Sequence, residues 1–150
     1  MAEREAVGGG ARGAGPTLRV ARPTDDLEAL ARLYREGLGL SVLGEFADHD
    51  GFDGVMLGHP GCPWHLEFTT RRGHAAGGAP SPEHLLVVYL PDRDEWTARA
   101  EAMRAAGFRD VEPDNPYWAR HGATFADPDG YRVVLQNSNW PPATLAEENA

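Results

Sequence analysis

The sequence is short of cysteine, of basic charge and of long apolar runs, and each shortage excludes something. Its one cysteine, Cys62, allows no internal disulfide, so a reducing cytoplasm is the expected compartment. Cys62 has no activating partner close by in sequence, and a buried structural thiol is expected. The formal net charge of −9 argues against nucleic-acid partners, because binding phosphate needs a basic footprint. It equally disfavours an anionic membrane surface. The longest useful apolar run, Leu85 to Leu90, is far too short to span a bilayer. No secretory h-region is present near the start. "GGG" at Gly8 to Gly10 follows no strand and opens no helix, so it is no phosphate cradle.

What remains is one ordinary globular domain. The chain has 150 residues, 41% hydrophobic and 25% charged. Residues 1–16, rich in Gly and Ala, read as a disordered tail, and 141–150 as an acidic one. Between them, 17–140 forms a single domain of two modules, 17–70 and 84–140, joined by the Gly/Ala/Pro linker 71–83.

The modules repeat one another. The first reads as a strand from Leu18 to Arg22, a helix from about Asp26 to Gly37 capped by Thr24 or Asp25, and three strands near 40–47, 52–58 and 63–70. The second reads as a strand from His84 to Leu90, a helix from about Asp94 to Ala106, and strands near 109–112, 123–126 and 131–137. Pro23 and Pro91, Asp26 and Asp94, Gly39 and Gly107, and Leu40 and Phe108 are each 68 residues apart. This punctuation predicts an internal duplication of a β-α-β-β-β unit. Each sheet would bury one face under its own helix and leave the other free to line a cavity.

Strand alternation then assigns residues to faces. In "WHLEFT", Trp64, Leu66 and Phe68 point toward the helix, and His65, Glu67 and Thr69 toward the cavity. In "YRVVLQ", Tyr131, Val133 and Leu135 face the helix, while Arg132, Val134 and Gln136 face inward. Tyr117 and Trp118, in a loop after Asn115-Pro116, either stack against a flat organic ligand or close the end of the barrel. Trp64 and Trp96 are expected in the core.

The motifs "DDLEALARLYREGLGL" (Asp25 to Leu40) and "DPDGYRVVLQ" (Asp127 to Gln136), together with the duplicated order, resemble the vicinal oxygen chelate superfamily. That superfamily includes glyoxalase I, bleomycin-resistance proteins and extradiol dioxygenases. The resemblance implies an α+β fold of tandem βαβββ modules curling around a cavity, and a homodimer. Metal-dependent members place His or Gln on the first strand of each module and Glu on the last. Carried over, those positions fall on Arg19 and Val87, and on Glu67 and Val134. Arginine and valine cannot ligate a metal, which leaves Glu67 as the match.

The expected reading is therefore metal-independent binding of a small organic molecule, aromatic or antibiotic-like, by His65, Glu67, Thr69, Tyr117, Trp118, Arg132 and Gln136. The alternatives are an enzyme and a structural or regulatory module with a filled cavity. The enzyme would be a glyoxalase-like lyase or isomerase, or a dioxygenase. It would use Glu67 as catalytic base and a divalent metal (Zn, Ni, Mn or Fe) held by His65, Glu67 and His84. Glu67 is otherwise the partner of Arg132 or Arg19 in a structural ion pair, His65 a hydrogen-bonded structural residue and His84 a strand-edge residue.

Overall fold

The computed structural model describes residues 4–5 and 15–142. The chain divides into two compact units, Met1–Gly77 and Gly78–Ala150. In the first, β1 (Arg4–Glu5) is followed by β2 (Leu18–Pro23), α1 (Leu27–Leu38), β3 (Ser41–His49), β4 (Phe52–Gly58) and β5 (Trp64–Arg71). In the second, β6 (Leu85–Tyr89) leads to α2 (Arg93–Ala106), β7 (Arg109–Val111), the short α3 (Tyr117–Arg120), β8 (Gly122–Ala126) and β9 (Arg132–Gln136). The sheets run β1-β3-β4-β5-β2 and β6-β9-β8-β7. In each, the first strand of the β-α-β-β-β unit pairs parallel with the last and the other neighbours are antiparallel. The duplicated α+β architecture expected from the sequence is the one found.

Each helix forms where its ends are satisfied. The Asp26 carboxylate accepts from the Ala29 N–H, and the Asp92 carboxylate from the Glu95 N–H, so each covers an orphan donor of its first turn. Both helices end at a glycine in the left-handed region, Gly39 (φ 70°) and Gly107 (φ 119°), where a Cβ would be strained. Leu30, Leu33 and Tyr34 of α1 are buried, as are Leu66 and Phe68 of β5, and the Tyr34 and Phe68 rings lie 4.8 Å apart. In the second unit Ala100 and Met103 of α2 and Phe125, Val133 and Leu135 of the sheet are buried. The Trp96 indole donates to the Leu135 carbonyl at 2.8 Å, which ties α2 to β9.

The caps show how the repeat is spaced. The N-caps, Asp26 and Asp92, stand 66 residues apart, and the C-caps, Gly39 and Gly107, stand 68 apart. The difference is the length of the helices, 12 residues in α1 and 14 in α2. Pairing at 68 therefore holds after the helices but not before them, so Asp94 is not the counterpart of Asp26.

Several expectations are corrected. The α1 cap is Asp26, not Thr24 or Asp25. Cys62 is exposed, because it lies in the turn ahead of β5. Trp64 is 38% exposed, because it opens β5 at the end of the sheet with His59 edge-on as its ring neighbour. Tyr117 and Trp118 start a short helix rather than lying in a loop. Arg4–Glu5, expected in a disordered tail, pairs with Glu45 and Gly44 of β3. The rest of the tail expected before residue 15, and the tail expected beyond 142, lie outside the described residues. Among those residues no helix is long and apolar enough to cross a membrane.

Gly122 sets how closely α3 approaches the sheet. A Cβ there would stand 2.7 Å from the Trp118 carbonyl oxygen, 3.1 Å from that of Leu135 and 2.5 Å from the Gln136 side-chain oxygen. Two of these neighbours are backbone and have little room to yield. Gly122→Ala is expected to cost about 1–3 kcal/mol by overpacking, read as a lower urea midpoint with an unchanged slope.

Candidate functional site

The parallel β2–β5 register places Arg19 opposite His65 and Ala21 opposite Glu67, all on the sheet face away from the buried Leu66 and Phe68. Arg19 bridges both neighbours. Its Nε donates to His65 Nε2 at 2.8 Å, and its Nη1 to Glu67 Oε2 at 2.9 Å. The Arg19 side chain is 43% exposed and that of Glu67 only 12%, so the carboxylate sits largely under its guanidinium partner. Accepting at Nε2 requires that nitrogen to be unprotonated, which puts the His65 proton on Nδ1. Thr69 follows two residues on, half-buried on the same face.

Partial burial pushes the His65 pKa below its ordinary value of 6.5, the Arg19 charge lowers it further, and Glu67 opposes them. The folded pKa is depressed, so the unfolded chain binds the proton more readily as pH falls below 6.5. The stabilising contribution is complete above that pH and is lost as pH falls from it toward the folded value. A proton NMR titration of His65 is expected to show this low midpoint. Removing the guanidinium with Arg19→Ala is expected to move it upward.

In the second unit the β6–β9 register sets Val87 opposite Val134. Arg19 lies two residues before Ala21, the register partner of Glu67, and Leu85 lies two residues before Val87, the partner of Val134. Arg19 also precedes its N-cap Asp26 by seven residues, as Leu85 precedes Asp92. Leu85, rather than Val87, is thus the counterpart of Arg19. Val134 is fully buried, and Gln136 is buried with its side-chain oxygen unpartnered. The Arg132 Nη1 donates to the Glu112 carbonyl at 2.9 Å. His84 is exposed, one residue ahead of β6.

A pocket of about 220 Å³ lies within this unit, walled by Pro82, Leu85, Pro113 and Trp118. Glu83, Asp114 and Thr124 also line it. Tyr117 and Trp118 pack edge to face at 4.8 Å, and it is Trp118 that lines this pocket. Of the pocket residues, Trp118 alone was anticipated. Leu85, Thr124, Glu83 and Asp114 carry no motif that marks them.

The donor set does not fit a divalent metal. In the first unit the two ligand types present, His65 Nε2 and Glu67 Oε2, are both engaged by a permanent cation. In the second the corresponding strand positions are Leu85 and Val134, which have no donor atom. Among the described residues no group of three His, Cys, Asp or Glu side chains is placed to hold a metal ion.

Paired βαβββ units of this topology are the fold of the vicinal oxygen chelate superfamily, and comparison with known proteins agrees. A crystal structure of a YycE protein of unknown function from Bacillus subtilis matches with TM-score 0.79 and 41% identity, over 89% of this chain and 100% of that one. The uncharacterized protein YycE of Bacillus subtilis (strain 168) is 46% identical over 121 residues, 81% of this chain and 87% of the relative. Leishmania major glyoxalase I matches with TM-score 0.64 and 23% identity, over 83% of this chain and 88% of its own. The fosfomycin resistance protein FosX of Mesorhizobium loti matches with TM-score 0.62 and 14% identity, over 93% and 98%. At these lower identities what is shared is the fold. Residues 18–69 match the YycE-like N-terminal domain and 83–137 the YycE-like C-terminal domain, and the chain belongs to this family.

Proposed function

We propose that this protein binds a small organic molecule without a divalent metal. The observation that carries the reading is the Arg19 guanidinium hydrogen-bonded to both His65 and Glu67. A guanidinium is always charged and has five N–H donors, so it can supply the fixed positive charge that a metal supplies elsewhere in the superfamily. Two of its donors are spent on His65 and Glu67, and the rest are free to anchor an oxygen of a ligand. His65, Glu67 and Thr69 in the first unit, and Tyr117, Trp118, Arg132 and Gln136 in the second, are the proposed surroundings of such ligands. The proposal extends to a homodimer in a reducing cytoplasm, following the resemblance and the single cysteine.

The test is a thermal-shift titration of the wild type with Ni²⁺, Zn²⁺ and Mn²⁺. No rise in Tm is expected at any concentration below that causing precipitation. A saturable rise that Glu67→Gln abolishes would instead favour a metal-dependent lyase or isomerase with Glu67 at its centre.

A further inference from the structure

We propose that the pocket of the second unit is a site for a small planar aromatic cation, an arene bearing an amine, amidinium or guanidinium. The proposal rests on the metal-free binding reading and adds to it a place and a ligand chemistry. Three features of the pocket converge on this class.

The first is the shape and chemistry of the walls. Pro82, Leu85 and Pro113 are apolar, and the indole of Trp118 is a flat face on which a ring can stack. A volume of about 220 Å³ holds one ring system or one arm of a larger molecule. It lies below the roughly 300–1,000 Å³ usual for drug-sized ligands.

The second is an orphaned polar atom. Thr124 is 4% exposed, lines the pocket, and its hydroxyl has no hydrogen-bond partner. Native structures seldom leave a buried hydroxyl so; its oxygen is closed to solvent as it stands, and a turn of the Thr124 side chain about χ1 would bring it to the pocket, where an N–H of a bound ligand completes it.

The third is charge. The two ionisable groups lining the pocket, Glu83 and Asp114, are both carboxylates, and no basic side chain lines it. The Ser81 hydroxyl donates to Glu83 Oε2 at 3.3 Å, which helps hold that carboxylate in place. The nearest guanidinium, Arg132, stands outside the lining and is held by the Glu112 carbonyl at 2.9 Å, so an anion entering here would meet the two carboxylates first, whereas a cation gains both of them and the face of the indole.

The experiment uses benzamidine and benzoate, which have nearly the same shape and opposite charge. Each is titrated into the full-length protein labelled with 5-fluorotryptophan and followed by fluorine NMR. The chain has four tryptophans, and Trp118→Phe identifies the resonance that matters. Benzamidine is expected to shift the Trp118 signal saturably and to leave those of Trp64, Trp96 and Trp140 in place. Benzoate at the same concentrations is expected to shift none of them.

The double variant Glu83→Gln/Asp114→Asn, at two exposed positions, is expected to raise the benzamidine Kd about tenfold. The near-isosteric Thr124→Val is expected to raise it about threefold to tenfold. Benzoate binding as tightly as benzamidine would overturn the proposal, as would a benzamidine Kd unchanged in the double variant. Titrations are run in EDTA and again with Zn²⁺. Binding that requires Zn²⁺ would overturn the metal-free reading and leave the pocket standing. No shift of Trp118 under either condition would overturn the pocket as the site, while metal content measured separately still judges the other reading.

Discussion

Arg19→His is expected to create a Ni²⁺ or Zn²⁺ site in the first unit, a response the wild type is expected to lack. The wild-type guanidinium stands between His65 and Glu67, held at 2.8 and 2.9 Å from their nitrogen and oxygen. Replacing it removes a fixed positive charge and frees both donors. It also adds a second imidazole on the neighbouring strand directly opposite His65. Two imidazoles and a carboxylate on one sheet face are the ligand types of many zinc sites, with solvent completing the shell. At metal concentrations about 100-fold above the Kd, binding contributes about 2.7 kcal/mol. For a domain of this size that is a rise in Tm of about 5–11 °C. Arg19→Ala, which frees His65 and Glu67 but adds no ligand, is expected to lose about 1–2 kcal/mol without a comparable metal response. Calorimetric titration of the wild type and both variants separates these outcomes, and metal binding by the wild type comparable to that of Arg19→His would defeat the account.

Val134→Glu, which writes the usual superfamily carboxylate back into the last strand, is expected to unfold the second unit rather than to build a metal site. Val134 is fully buried, with Val87 and Thr124 as its register partners on the two neighbouring strands. Neither of those side chains can neutralise a carboxylate, and Leu85, at the remaining ligand position, has no donor atom. Burying an unpaired carboxyl group in such a place costs about 3–5 kcal/mol, a large part of the whole stability of a domain. The cost has a predictable pH dependence. Burial raises the folded pKa of the new carboxyl, so its neutral form is tolerated below the unfolded value of about 4.3 and stability falls as pH rises through the folded one. Urea midpoints measured at pH 4.5 and 7 are expected to diverge from wild type more strongly at pH 7. A variant as stable as wild type at both pH values, or stabilised by metal, would show that the site retains a capacity this account denies it.

The two variants separate the fates of the two sites. In the first unit the polar ligand types survive and are occupied by an arginine. In the second the equivalent positions are Leu85, on the wall of the pocket, and Val134, in a buried strand. A single substitution is expected to recover the first, whereas a second site would need several changes made together.

Much of the fold was legible because it is written in local signals. β4 falls on residues 52–58, between the turn-like stretches ADHDG and HPGCP that bound it, and both helices stop at the glycines that end their apolar periodicity. The helix starts were less legible. Asp25 and Asp26 are both able to cap, and α2 gains an extra turn-fraction that disguises Asp92 as the counterpart of Asp26. Trp64 was misplaced because alternation tells which face a side chain takes but not whether the helix extends far enough to cover it, and Cys62 because it lies in the turn ahead of β5 rather than in the strand.

The site was legible in part. Alternation put His65, Glu67 and Thr69 on one face, and Arg19 was among the partners considered for Glu67. The bond from Arg19 to His65 depends on the register of two parallel strands 46 residues apart, and nothing local in either strand encodes it. The pocket was less legible still. Glu83 comes from the connection between the modules, Asp114 from the approach to α3 and Thr124 from β8, and they meet only when the second unit has folded. A four-residue helix such as α3 is too short to leave a periodic signature.

The most direct test of the central claim is the metal content of the wild-type protein, purified without chelator or added metal and measured by elemental analysis beside Glu67→Ala. With Arg19 hydrogen-bonded to both His65 and Glu67, both proteins are expected to carry far less than one divalent ion per chain, with no difference between them. Near-stoichiometric metal in the wild type that disappears in Glu67→Ala would contradict that claim and make Glu67 a ligand.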